Sequence, residues 1–180
     1  MQGDSEMRTQ GITIESAALK HAEAIQRLIS DPLVAETTSN IPHPYPEGGA
    51  EEWIRHTLRL RSQGAEYAFA ILNNASFVGS ISILNVHNGQ GEVGYWIGRP
   101  YWGRGYATAA GRQIVAYAFE ELGLAVLIAK CLVRNAGSYR VLEKLGFQHT
   151  GITEVTKPKW PTPERVAEFV LPRAKWVTGP

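Results

Sequence analysis

Residues 101 to 108 read Tyr-Trp-Gly-Arg-Gly-Tyr-Ala-Thr, two glycines one residue apart directly before a strongly helical segment. Glycine allows a tight turn and lets main-chain N–H groups come close to a ligand. A helix N-terminus offers unpaired N–H groups and the positive end of a dipole, a ready site for phosphate. The stretch therefore reads as either a tight loop or a phosphate cradle. Two familiar phosphate loops do not fit. Gly98 to Gly103 has Walker spacing, but Arg104-Gly105 follow where a nucleotide-triphosphate loop needs Lys and then Ser or Thr. A dinucleotide fingerprint needs Gly or Ala three residues after Gly105, and that position is Thr108. What remains is a strand, a Gly-x-Gly turn and a helix, able to hold a pyrophosphate on backbone donors.

Other residues could carry chemistry nearby. Asn135-Ala136-Gly137-Ser138 opens a second helix and places a hydroxyl in its first turn, with Asn135 a natural N-cap. Glu92, in Gly91-Glu92-Val93-Gly94-Tyr95-Trp96, reads either as a base or as an exposed strand glutamate near a turn. Cys131 lies in an apolar run with no paired histidine and reads as a core cysteine. The five histidines (21, 43, 56, 87, 149) lack metal-ligand spacing, so no metal is expected, and His21 and His56 read as helix-surface residues.

Regular elements must position these groups. Residues 11–14 predict a first strand, and Ser16 a cap for a helix with Ala18, Ala22, Ile25, Leu28 and Ile29 on one face. Asp31-Pro32 predicts its stop. Ser39 to Pro46 holds three prolines in five residues and cannot be regular. A second helix is predicted from Ala50 to Ser62, ended by Gly64. Strands at 67–72, 77–86 and 91–97, joined by Asn and Gly turns, predict an antiparallel meander. The glycine turn then opens a helix to about Leu122. Leu124–Val133 reads as a strand buried on both faces. The Asn135 helix ends at Gly146, and strands at 147–150 and 166–171 close the chain around a proline-bearing loop, 157–163. This order predicts a mixed α/β domain around one sheet.

At Gly94-Tyr95-Trp96-Ile97 through Phe119, followed by Asn135 to Phe147, the chain resembles the GNAT superfamily of acetyl-CoA-dependent N-acetyltransferases. It is most similar to the branch containing the ribosomal-protein alanine and serine N-terminal acetyltransferases, with the likeness running from about Thr9 to Trp176. The resemblance implies a GNAT fold: a mostly antiparallel central sheet, splayed at the acetyl-CoA site and flanked by about four helices. It implies one domain over 9–177 after a flexible leader, 1–8. The pantetheine arm would lie beside the third meander strand near Trp96, Ile97 and Gly98. The pyrophosphate would sit on the turn and helix start, with Trp102, Gly103, Arg104, Gly105, Tyr106, Ala107 and Thr108 around it. Arg104 would add charge there or remain a solvated surface arginine. Asn135 would hydrogen-bond the pantetheine, cap its helix, or do both.

Many relatives outside the branch carry a general-acid tyrosine seven residues after the asparagine. Here that position is Leu142, and Tyr139 is at the wrong offset. Ser138 is then the candidate acid toward the departing thiolate, and Glu92 the candidate base. Glu36, Glu52 and His43 are runner-up bases. A Gln or Arg common three residues before the turn is replaced by Pro100. Asn40, Tyr45 and Trp53 are expected to line the acceptor pocket, Trp53 also fitting a core role.

Composition narrows the alternatives. With 180 residues, 44% hydrophobic and 19% charged, the chain has the makings of a folded domain with a full core. A net charge of +1 without a basic stripe disfavours nucleic acid as partner. One cysteine excludes an internal disulfide and fits a reducing, cytoplasmic compartment. No secretory h-region or membrane span is legible. The expected activity is acetyl transfer to a primary amine, foremost a peptide or protein N-terminal α-amine. Rivals are a small amine (polyamine, aminoglycoside or amino-acid derivative) and a non-catalytic acyl-CoA-binding module. A homodimer fits the branch, with no interface legible.

Overall fold

The computed structural model describes residues 11–176; the leader expected at 1–8, and residues 9, 10 and 177, lie outside it. The described chain forms strands β1 (Ile12–Ser16), β2 (Tyr67–Asn73), β3 (Ser76–His87), β4 (Gln90–Ile97), β5 (Val126–Leu132), β6 (Gln148–Val155) and β7 (Glu164–Pro172). Its α-helices are α1 (Ala22–Ile29), α2 (Pro32–Glu36), α3 (Gly49–Ser62), α4 (Tyr106–Glu120) and α5 (Ala136–Lys144). The strands form one sheet in the order β1-β2-β3-β4-β5-β7-β6. Neighbours are antiparallel except β4 and β5, the two strands joined through α4.

That parallel pair is short. Its register runs only from Gln90↔Val126 to Val93↔Ala129. Beyond it β4 stays with β3 as far as Ile97↔Gly79. The rest of β5 stays with β7, Lys130↔Glu168 through Leu132↔Val166. The two strands therefore part in the middle of the sheet.

Alternation along the strands feeds two cores. Ile81, Ile83, Val93 and Leu127 pack with Ile114, Val115 and Phe119 of α4 on one face. Ala70, Leu72 and Phe77 pack with Ile25, Leu28 and Ile54 of α1 and α3 on the other. On β4, Tyr95 and Ile97 join the α4 face and Trp96 joins the α1/α3 face.

Several local expectations change. Ser16 is not a cap; it pairs with Phe69 as the last residue of β1. The helix instead begins through a 3-10 turn, Leu19–His21. There His21 is buried, not a surface residue: its Nδ1 accepts from the Ala18 N–H at 3.1 Å, and its Nε2 lies 2.8 Å from Glu15 Oε1. Asp31-Pro32 ends one helix and starts another. Asp31 Oδ1 accepts from the Leu33 N–H at 3.0 Å, and Pro32 fills the first turn of α2. β5 is shorter than 124–133 and is not buried throughout, since Lys130 is exposed where the sheet opens. β6 is longer than 147–150 and mostly exposed, an edge strand held by its ladder to β7.

Gly79 allows the close approach of β3 to the end of β4. A Cβ there would collide with the Trp96 carbonyl oxygen and sit 3.0 Å from Ile97 Cα. Gly79→Ala should cost about 1–3 kcal/mol. That lowers Tm by roughly 3–10 °C in a chain of this size. Calorimetry checks it, and an unchanged Tm would show that the two strands yield freely.

Candidate active site

The gap between β4 and β5 opens into one cavity of about 1410 Å³ that reaches both faces of the sheet. Tyr95, Ile97 and Cys131 line it from the α4 face. Glu92, Gly94 and Trp96 alternate with them along β4 and belong to the opposite face. The glycine turn and the start of α5 close one end, and α3 with the 37–46 loop closes the other.

Backbone edges set what an extended ligand could pair with. The Gly98 N–H donates to the Val78 carbonyl at 2.8 Å, away from the gap. Gly98 also packs on Leu28 and, unlike the other residues expected around acetyl-CoA, does not line the cavity. The Ile97 carbonyl accepts from Trp102 Nε1 at 2.7 Å, so the exposed Trp102 ring is fastened to the strand. By alternation, the edge that faces the gap belongs to Tyr95 and Ile97 rather than to Trp96 and Gly98.

The turn has the geometry of an anion cradle. Gly103 and Gly105 adopt φ of 72° and 81°, the left-handed region that glycine enters without penalty. Gly105 is the N-cap of α4, and no side chain caps that helix. Its first intrahelical bond is Ala109 N–H to Gly105 O, which leaves the N–H groups of Tyr106, Ala107 and Thr108 pointing along the positive end of the dipole. The Tyr106 ring turns inward and its hydroxyl accepts from Asn73 Nδ2 at 3.0 Å. Arg104 lies over the Tyr101 ring at 5.8 Å and has no acidic partner among the described residues. Arg140 and Lys144, one helical turn apart on α5, line the same end. The sequence reading missed both, although their i, i+4 spacing on the helix after Asn135 was a usable signal.

Ser138 sits across the gap from β4. Its N–H donates to Asn135 Oδ1 at 3.1 Å, and its Oγ lies 2.7 Å from Tyr95 Oη. Asn135 Nδ2 donates to the Thr37 carbonyl at 3.3 Å. The amide thus caps α5 and fastens the 37–46 loop, with one N–H left for a ligand. Cys131 stands beside Ser138, and burial pushes its thiol up to about 11, the serine contact opposing weakly. Burial likewise raises the Tyr95 phenol. Leu142, where other relatives have the acid tyrosine, is buried in the core. Tyr139 packs on Phe169 at 4.9 Å and does not line the cavity.

Carboxylates occupy the α3 side. Glu92 is partly exposed opposite Leu84 and Ile128. Glu66, unnoticed in the sequence, lines the cavity too; burial raises its carboxyl and the nearby His56 lowers it. Glu52 joins them from α3, and with burial it raises the Tyr45 phenol, burial being the larger cause. His56 is exposed but lies at the cavity mouth rather than on a remote surface. Trp53 both lines the cavity and packs on the second core. Asn40 Oδ1 accepts from Lys157 Nζ at 3.1 Å at the rim. Two runner-up bases fall away. Glu36 is paired with Arg134 at 3.3 Å, and neither it nor His43 lines the cavity.

Two outcomes are expected. At Gly103 a Cβ would meet no protein atom within 4 Å beyond its chain neighbours, so a side chain there would project into the space a ligand would use. Gly103→Val should weaken CoA binding at least about 10-fold while the φ strain costs roughly 1–2 kcal/mol of stability. Calorimetric titration decides, and retained affinity would refute the cradle. Iodoacetamide should label Cys131 on the order of 100-fold more slowly than free cysteine at pH 8. The rate should climb as pH approaches 11, where the thiolate forms. Fast labelling at pH 8 would contradict the buried thiol.

Known proteins agree with this geometry. The acetyltransferase (GNAT) domain family matches residues 12–148. An uncharacterised N-acetyltransferase of Bacillus licheniformis, p20, is 27% identical over 80% of this chain and 83% of its own length. YdaF of Bacillus subtilis, provisionally named a ribosomal N-acetyltransferase, is 36% identical over 59% of this chain and 57% of its own, so the match spans little more than half of that relative. The structure of RimL, a ribosomal L7/L12 α-N-protein acetyltransferase solved with coenzyme A, superposes with TM-score 0.83 over 91% of this chain and 94% of that one, at 14% identity. The chain belongs to the GNAT acetyltransferase domain family and is an acetyl-CoA-dependent N-acetyltransferase.

Proposed function

We propose that the acceptor is the α-amine of a peptide or protein N-terminus. The observation that carries the reading is the single cavity that crosses the sheet where β4 and β5 part. It gives the thioester and the amine separate approaches to one point. The acceptor side lies between α3, the 37–46 loop and the sheet. Residues 9–177 are taken as one catalytic domain, supported by the single sheet that runs through the described chain. A cytoplasmic location fits the lone cysteine.

In the reaction the amine lone pair forms the new N–C bond, the C–S bond breaks, and its electron pair leaves with sulfur. An attacking amine must be neutral. A free α-amine has a pKa of about 8 and a lysine about 10.4, so a terminus is the easier nucleophile near neutral pH. Glu92, on the acceptor face, takes the proton that the amine sheds, directly or through a water. Ser138, on the other face, offers its O–H to the departing sulfur. An aliphatic hydroxyl is a weaker acid than a thiol. Ser138 therefore stabilises the leaving group by hydrogen bonding and keeps its own proton. Trp102, the turn and α4, with Arg104, Arg140 and Lys144, hold the phosphate end.

A second reading has its own support. Glu52, Glu66 and Glu92 line the acceptor side, and none is in an ion pair among the described residues. Such a groove also suits a small polycationic amine.

The test is thiol release from acetyl-CoA with peptides bearing Ser, Ala, Met and Thr termini, polyamines, aminoglycosides and free amino acids. Turnover concentrated on peptides is expected. Turnover on polyamines alone would replace the peptide reading, and silence with intact CoA binding would favour the binding-module rival. In the same assay Glu92→Gln should lower kcat about 100-fold or more with acetyl-CoA affinity retained. An unchanged rate would remove Glu92 as the base.

A further inference from the structure

Tyr95 and Ser138 form a hydroxyl pair across the cavity, on its thioester side. Tyr95 Oη lies 2.7 Å from Ser138 Oγ and 3.4 Å from the Ser138 carbonyl oxygen. The tyrosine stands two residues beyond Val93, where the parallel register ends. The serine stands in the first turn of α5, its backbone held by Asn135 Oδ1. The bond therefore joins the lip of β4 to the helix behind β5, at the level where the strands separate.

Each hydroxyl has one proton, and the pair uses one of the two. A phenol is the stronger hydrogen-bond donor and an alkyl hydroxyl the better acceptor. With Tyr95 as donor and Ser138 as acceptor, the serine proton is left for the neighbouring Cys131 sulfur or for a bound ligand. Burial keeps the phenol protonated, so the donor is present across the working pH range. No tyrosine of α5 competes for the role, since Tyr139 packs away on Phe169 and the Leu142 position is core.

We propose that Tyr95 is a positioning residue for acetyl transfer: by donating to Ser138 Oγ it turns the serine O–H toward the sulfur of the bound thioester. This rests on the reading of Ser138 as the hydrogen-bond donor to that sulfur. Tyr95 gives up no proton. The C–S electron pair goes to sulfur, the serine O–H solvates it there, and the amine's proton leaves by the Glu92 face.

The experiment compares Tyr95→Phe, Ser138→Ala and the double variant for kcat, KM for acetyl-CoA, CoA affinity by calorimetry, and Tm. Tyr95→Phe should lower kcat about 10-fold, the worth of one oriented hydrogen bond, with KM and CoA affinity unchanged. Ser138→Ala should lower kcat about 100-fold. The double variant should match Ser138→Ala, because a residue acting through another adds nothing once that other is gone. Tyr95→Leu serves if the phenylalanine variant does not fold. A double variant slower than Ser138→Ala by a further 10-fold would overturn the proposal, and so would a Tyr95→Phe enzyme whose Tm or KM alone changes. Ser138→Ala at full rate would sink the serine reading itself. A slow Tyr95→Phe beside it would then make the phenol the direct donor.

Discussion

Four residue pairs, Gln90↔Val126 through Val93↔Ala129, are all that hold β4 to β5. Past them each strand keeps another partner, β3 for β4 and β7 for β5, so neither can close the gap without abandoning a longer ladder. The opening is thus set by two intact antiparallel pairings rather than by a flexible loop. It also exposes backbone groups that a closed sheet would satisfy internally. An amide-bearing substrate arm can occupy that edge as a further strand would, by β-augmentation. Every functional group described here is placed relative to this divergence. β4 sends Glu92 and Tyr95 to opposite faces, the helix between the strands brings its N-terminus to one mouth, and α5 brings Ser138 behind the other strand.

The two ends of the cavity are mechanically connected. Carbonyls at the end of α2 and in the loop after it face the β5–α5 and β6–β7 loops. Lys159 Nζ donates to the Ala35 and Ile41 carbonyls at 2.6 and 2.8 Å, Arg134 to the Glu36 carbonyl at 2.9 Å, and Asn135 to Thr37. Two of these donors are charged and three of the carbonyls lie at the negative end of a short helix, the arrangement that strengthens such bonds. Burial lowers the Lys159 ammonium, with Arg134 and Lys157 adding to it, so desolvation, and cation crowding after it, opposes this fastening. The 37–46 loop is consequently tied to Asn135, which holds the Ser138 backbone.

Much of this was legible in the sequence because it rests on local chemistry. Gly103 and Gly105 announced a turn with positive φ, the alternating apolar runs announced the meander, and Asn135 announced its helix. The resemblance supplied the splay and the roles proposed for Glu92 and Ser138, which no periodicity reveals. What escaped depended on pairing and packing that residue periodicity does not show. The apolar pattern showed only the start of β6, because most of its residues face solvent and the strand is held by its ladder to β7. His21 looked like a surface residue because its partner, Glu15, sits on a neighbouring element. Gly98 looked like part of the strand edge beside the pantetheine arm, yet its N–H is claimed by Val78. Tyr95 was in plain view within Gly-Tyr-Trp, but only the fold brings Ser138 to it from 43 residues away.

Acyl transfer from a thioester poses two proton problems of opposite sign. The incoming amine must lose a proton, and the outgoing sulfur must have its negative charge stabilised. A single group near both atoms would meet conflicting demands, since a carboxylate that accepts well repels a thiolate. The alternation of β4 separates the two. In the proposed mechanism Glu92 serves the acceptor from one face and the Tyr95–Ser138 pair serves the sulfur from the other, with the sheet between them. Neutral hydroxyls are suited to the sulfur side: they donate without carrying charge into a buried place, where an unpaired ion would be costly. The raised thiol of Cys131 follows from the same dry surroundings. A wall that disfavours the thiolate of its own cysteine will disfavour a departing thiolate equally, unless donors are already aimed at it. That requirement gives a preoriented serine hydroxyl its value at this point of the fold.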